Sequence, residues 1–121
     1  MSRLRLHRLA AGLVLALAGG GALAGAAVFL SEVEDLPLVP GLEEVPQAGV
    51  VFDAPGGRVV EAFAVGDMSE RDVLGFYRRT LPQLGWQRQG AGDYVRAGER
   101  LRIGVSSEGD ALTVRFRITP E

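Results

Sequence analysis

The chain contains no cysteine and no lysine, and its one histidine is His7. Without cysteine there is no disulfide staple, no thiolate nucleophile, no zinc–thiolate site and no lipid-modified thiol. Without lysine there is no Schiff-base chemistry and no phosphate loop ending in Gly-Lys-Ser/Thr. The histidine sits among the first eight residues, so the rest of the chain has no Ser–His or Cys–His pair and no nitrogen ligand for zinc. Ser69, Ser106 and Ser107 therefore lack the usual general base and read as a helix cap and turn residues. Asp67, Glu70 and Asp72 lack the spacing of a calcium loop. No cofactor or metal is expected.

Carboxylates are what remains for acid–base work. Two of them flanking a substrate require a cleft and shifted pKa values, and a small single-layer domain offers little cleft. Glu61, the one acid inside an apolar strand pattern, is expected to face solvent or pair an arginine. The residue inventory argues against an enzyme, with carboxylate chemistry as the only exception.

What is present begins with an address. Arg3, Arg5 and Arg8 precede an uncharged run from Leu9 to Leu30, and the acids Glu32, Glu34 and Asp35 follow it. That order is an export signal. The run is long enough for the roughly 20 residues that cross a bilayer as a helix. Two readings stay open. Gly19, Gly20 and Gly21, followed by Ala22-Leu23-Ala24 and Ala24-Gly25-Ala26, fit a cleaved signal peptide. Ala27, Val28, Phe29 and Leu30 prolong the run and fit an anchor held N-in in the inner membrane. Both place the remainder in the periplasm. The expected organisation is a signal peptide or anchor over 1–30, an acidic proline-rich linker over 31–48, and an α+β domain over 49–121.

The exported part carries ten arginines against fifteen acids. Residues 31–53 hold six of those acids and no base, whereas residues 54–121 are nearly balanced. This distribution argues against nucleic acid as a partner. Pro37, Pro40 and Pro46 exclude a regular helix from the leader, although Leu36, Leu38, Val39 and Leu42 leave room for part of it to lie on the domain. Ala54-Pro55-Gly56-Gly57 marks a turn joining Val50–Asp53 to Arg58–Val65 as a hairpin.

Ser69 is the expected N-cap of the single helix, with Asp72 three residues on. Val73, Phe76, Tyr77 and Leu81 fall on one face at helical spacing, while Glu70, Arg71, Arg78 and Arg79 lie mostly on the other. Pro82 ends the helix and Trp86 returns the chain to the core. Short strands are expected at Trp86–Gln89 and Tyr94–Ala97. Beyond them, Leu101, Ile103 and Val105, then Leu112, Val114, Phe116 and Ile118, alternate with polar residues at period 2. The fold expected is α+β: a small antiparallel sheet in the order ββαββββ, with one helix on its apolar face.

The segment Phe76-Tyr77-Arg78-Arg79-Thr80-Leu81-Pro82-Gln83-Leu84-Gly85-Trp86, read as FYxxxLPxLGW, resembles a family of small, uncharacterised exported proteins from proteobacteria. Leu36-Pro37-Leu38-Val39-Pro40-Gly41-Leu42 and the turn from Val51-Phe52-Asp53 to Gly57-Arg58 are similar to the same family. The resemblance implies export and carries no assigned reaction.

One constellation points to binding. A turn over Ser107–Asp110, with Ser106 paired to Ala111, sets Arg102 opposite Arg115 and Arg100 opposite Arg117. Like charges directly opposed on a sheet are destabilising. Either acids such as Glu61, Glu99 or the leader cover these arginines, or Arg100, Arg102, Arg115 and Arg117 form a docking face for an acidic protein segment or a lipid headgroup. The expected function is a non-enzymatic envelope domain that binds a partner protein or assists an assembly. The alternative is a small carrier holding an apolar or anionic ligand between helix and sheet.

Overall fold

Alternating strand patterns and one amphipathic stretch build a sheet backed by a helix. The computed structural model describes residues 28–121. Its strands are β1 (Phe29–Leu30), β2 (Val33–Pro37), β3 (Glu43–Glu44), β4 (Val50–Ala54), β5 (Gly57–Gly66), β6 (Gln87–Gly90), β7 (Asp93–Arg96), β8 (Glu99–Glu108) and β9 (Ala111–Pro120), and α1 (Glu70–Thr80) lies between β5 and β6. All strand pairs are antiparallel. The main sheet runs β3-β5-β9-β8-β7-β6, and β4 pairs with β5 along the same edge as β3. From β4 onward the order is the expected ββαββββ, and the class is α+β.

The helix forms where its signals place it. The Ser69 hydroxyl accepts the Asp72 backbone N–H at 3.0 Å, satisfying one of the first-turn donors. Arg78 and Arg79 occupy the last turn, where positive charge suits the helix dipole. Leu81–Leu84 tightens into a 3-10 turn, and Gly85 closes it at φ 93°, a left-handed conformation that glycine adopts at little cost.

The core lies between α1 and the inner face of the sheet. Val60, Ala62, Ala64, Tyr94, Leu101, Val114, Phe116 and Ile118 meet Val73, Tyr77 and Leu81 there. Tyr77 stands edge-on to both Phe76 and Phe116, with centroids at 5.1 and 5.6 Å. Phe76 itself is only half-buried, one step short of the full burial its spacing predicts. Trp86 is buried under the Arg96 guanidinium, 4.3 Å from the ring centroid. Its indole N–H is the one buried side-chain donor without a partner among the described residues.

Two expectations give way. The segment expected as a linker over 31–48 is woven into the domain. β1 and β2 form a hairpin, and Leu30, Val33, Leu36, Leu38, Val39 and Leu42 are all buried in the core cluster. The Tyr77 hydroxyl donates to the Pro37 carbonyl at 2.8 Å, and Arg96 bonds Asp35 at 2.8 Å. Proline forbids a helix there but tolerates short edge strands, so apolar content decided the outcome. The signal or anchor expected over 1–30 lies outside the described residues except for Val28, Phe29 and Leu30.

The second correction is the β8–β9 register. Glu108, and not Ser106, pairs with Ala111, because Gly109 at φ 62° allows a two-residue turn, glycine first. Val105 then faces Val114, Ile103 faces Phe116 and Leu101 faces Ile118. A slip of two residues keeps every side chain on its expected face, since only an odd slip exchanges faces.

Candidate functional site

The corrected register re-pairs the arginines of the sheet's outer face. Arg102 stands opposite Arg117, Arg100 opposite Thr119, and Arg115 opposite Gly104. All four arginines line one shallow groove of about 700 Å³. Gly104 lies in its floor, and the space a side chain would take there is open.

The strand pairing that gathers these arginines also brings them carboxylates. β5 runs beside β9, and Glu61 lies opposite Arg117 and diagonal to Arg115. Arg115 donates to Glu61 through Nε at 2.9 Å and through Nη2, and Arg117 reaches the same oxygen at 3.4 Å. Asp93 accepts from Arg100 on both oxygens at 2.8 Å and lies 3.9 Å from Arg102. Glu121 adds a contact to Arg100 at 3.7 Å. Glu99 pairs with Arg58 instead, and the leader's Asp35 with Arg96. Four guanidiniums therefore share three carboxylates, and Arg102 is the most exposed of them, its side chain 67% accessible. Pairs this open contribute little to stability.

A second concavity of about 740 Å³ lies on the helix side, and pattern reading missed it. α1 supplies Arg71, Arg78 and Arg79, and β6 supplies Arg88. Its apolar lining includes Val39, Met68, Leu74, Phe76 and Tyr94. Burial raises the pKa of the Tyr94 hydroxyl, and the nearby Arg88 and Arg78 charges act against that shift. Arg71, Arg78 and Arg79 share the polar face of the helix in sequence. Arg88 joins them only through the β6–β7 fold, in which it pairs with Tyr94. The sequence signal that could have drawn attention was Gly75, a poor helix former in the middle of the helix.

Among the described residues no group of three or more acids or histidines could hold a metal ion. Among them, too, no helix is long and apolar enough to cross a membrane. No protein family, no curated protein and no solved structure matches this chain. The FYxxxLPxLGW segment has a packing role in this fold: Tyr77, Leu81 and Trp86 are buried and Gly85 turns the chain.

Proposed function

We propose that this protein is a non-enzymatic binding domain of the bacterial envelope, exported by its N-terminal segment, that docks an acidic protein segment along the arginine groove of the sheet. The observation that carries the reading is the shortfall of carboxylates in that groove: Arg100, Arg102, Arg115 and Arg117 share Glu61, Asp93 and Glu121. Arginine's planar fork suits a carboxylate partner, and an acidic segment can exchange with weak internal pairs at small net cost. Complementary charge of this kind sets specificity and association rate more than raw affinity.

The test is affinity purification of the C-terminally tagged protein from its own envelope, with Arg102→Glu and Arg115→Glu combined as the comparison. Loss of a specific co-purifying protein supports the reading; an unchanged set of partners overturns it. Intact mass of the same sample reports whether the chain starts near Gly25 or Ala27, as cleavage requires. The carrier reading is favoured by one separate observation, the arginine-rimmed cleft on the helix side.

A further inference from the structure

The described part of the chain has ten arginines, and they divide cleanly. Arg58, Arg96, Arg100, Arg102, Arg115 and Arg117 each take part in an ion pair. No ion pair among the described residues involves Arg71, Arg78, Arg79 or Arg88, and these four line the same cleft. Acids outnumber bases in the exported part, so scarcity of carboxylates does not explain the division. The one acid in the cleft lining is Asp72, set against four arginines, so positive charge prevails there.

We infer that this cleft binds the headgroup of an acidic phospholipid. Four guanidiniums around an apolar floor match a phosphodiester joined to a glycerol and the first methylenes of an acyl chain. The phosphate would sit among Arg78, Arg79 and Arg88, and the aliphatic part against Leu74 and Met68. Gly75 strengthens the assignment. A helix-interior glycine is destabilising, and here the position its Cβ would take is 3.3 Å from Arg79 Nη1. Its bare backbone lets that guanidinium lie across the cleft wall.

The source is argued from where the chain enters the domain. The Val28 carbonyl accepts the Leu38 N–H at 2.7 Å, and the next two residues, Val39 and Pro40, line the cleft. Val28 and Phe29 are exposed apolar side chains, 64% and 43% accessible. The uncharged run that begins at Leu9 thus joins the domain beside the cleft. A membrane surface meets the exposed apolar residues and the unpaired arginines together, whereas an acidic protein segment accounts only for the charges.

The cleft meets the outer groove at Ala91 and Gly92 but shares none of its arginines, so partner capture there can fail while lipid binding succeeds. The experiment places the full chain in nanodiscs of phosphatidylcholine and titrates three probes: dihexanoyl phosphatidylglycerol below its micelle concentration, dihexanoyl phosphatidylcholine, and soluble glycerol phosphate. Side-chain NMR resonances of the arginines report the site. Phosphatidylglycerol is expected to shift Arg71, Arg78, Arg79 and Arg88 saturably, with phosphatidylcholine and glycerol phosphate binding far more weakly. Each guanidinium hydrogen bond to the phosphate contributes roughly fivefold. The combined change Arg78→Gln, Arg79→Gln and Arg88→Gln therefore weakens binding about a hundredfold, and Arg79→Gln alone about fivefold, with the melting temperature as a check on folding. Equal binding of phosphatidylcholine overturns the inference. So do equally tight binding of glycerol phosphate, which marks a site for free phosphate, and shifts confined to the outer-groove arginines.

Discussion

The two arginine-lined surfaces lie on opposite sides of one sheet and reach their charge differently. On the outer face, strand pairing places Glu61 beside Arg115 and Arg117, and Asp93 beside Arg100 and Arg102. On the helix side, Arg71, Arg78 and Arg79 come from one helix face and Arg88 from a neighbouring strand, and no carboxylate joins them in an ion pair among the described residues. A sheet composes its charge across strands, so acids and bases can be matched residue by residue. A helix face meets its neighbours only through tertiary packing. The difference teaches that arginine count alone does not identify a site; the distribution of acids around the arginines does.

The comparison breaks most completely where both surfaces rest on the same support. Phe116 is buried in the sheet's inner face, between the outer groove and the helix. Phe116→Ala is expected to cost about 3–5 kcal/mol, comparable to the whole stability of a small domain. Urea unfolding measures the loss, and both surfaces should disappear together.

Tyr77→Phe separates them. It removes the hydroxyl that caps the Pro37 carbonyl, leaving a buried acceptor unsatisfied at a cost of about 1–3 kcal/mol. Amide exchange should quicken in Val33–Val39, which borders the helix-side cleft, and stay unchanged in β8 and β9. The pH dependence follows from the same side chain. Burial holds the Tyr77 pKa above its ordinary value of 10.0, so the folded state disfavours the phenolate. That contribution is complete below about pH 10 and is lost as pH rises further, because the unfolded chain releases its proton first. The phenylalanine variant should show a shallower fall in melting temperature on the alkaline side.

Legibility from sequence followed the range of the interactions. The period-2 strands 101–118 and the capped helix at Ser69 are local patterns, and both appear with their faces as expected. The register did not follow, because two in-phase pairings of β8 and β9 bury the same apolar set and only the geometry at Gly109 selects between them. The leader misled because Pro37, Pro40 and Pro46 say what the chain cannot form. Leu36, Leu38, Val39 and Leu42, which do say where it goes, are all buried. In the outer groove, Arg100, Arg102, Arg115 and Arg117 were legible by alternation and Glu61 as their neighbour. Asp93 was not, since its place beside Arg100 depends on the β7–β8 turn at Ala97 and Gly98, both at positive φ. The helix-side cleft needed Arg88 to be brought to α1, which no local pattern encodes.

Glu61→Gln sharpens the contrast from the outer side. It removes the one carboxylate shared by Arg115 and Arg117 and leaves these two as poorly matched as the cleft arginines, while Asp93 and Glu121 still hold Arg100 and Arg102. The pairs are half-exposed, so the expected loss is below about 1 kcal/mol, shrinking as salt rises. Capture of an acidic segment should strengthen, because the variant no longer supplies an internal competitor. Thermal melts at low and high salt, run beside the envelope purification, check both halves.

Gly75→Ala carries the smallest expected change and divides stability from binding on the helix side. Gly75 does not adopt a positive φ, so alanine fits the backbone and gains about 0.5 kcal/mol from helix propensity alone. The added methyl arrives 3.3 Å from Arg79 Nη1 and moves that guanidinium by a few tenths of an ångström along the cleft wall. A slightly higher melting temperature with weaker binding of phosphatidylglycerol is the expected pair of results. If stability rises and lipid affinity holds, Gly75 is a tolerated weakness of the helix and Arg79 does not need its present position. A drop in both would mean that the shifted Arg79 disturbs the helix as well as the cleft, and the melt distinguishes that outcome. Only the first result makes the glycine a feature of the cleft, kept at some cost in stability so that an arginine can lie where a side chain would have been.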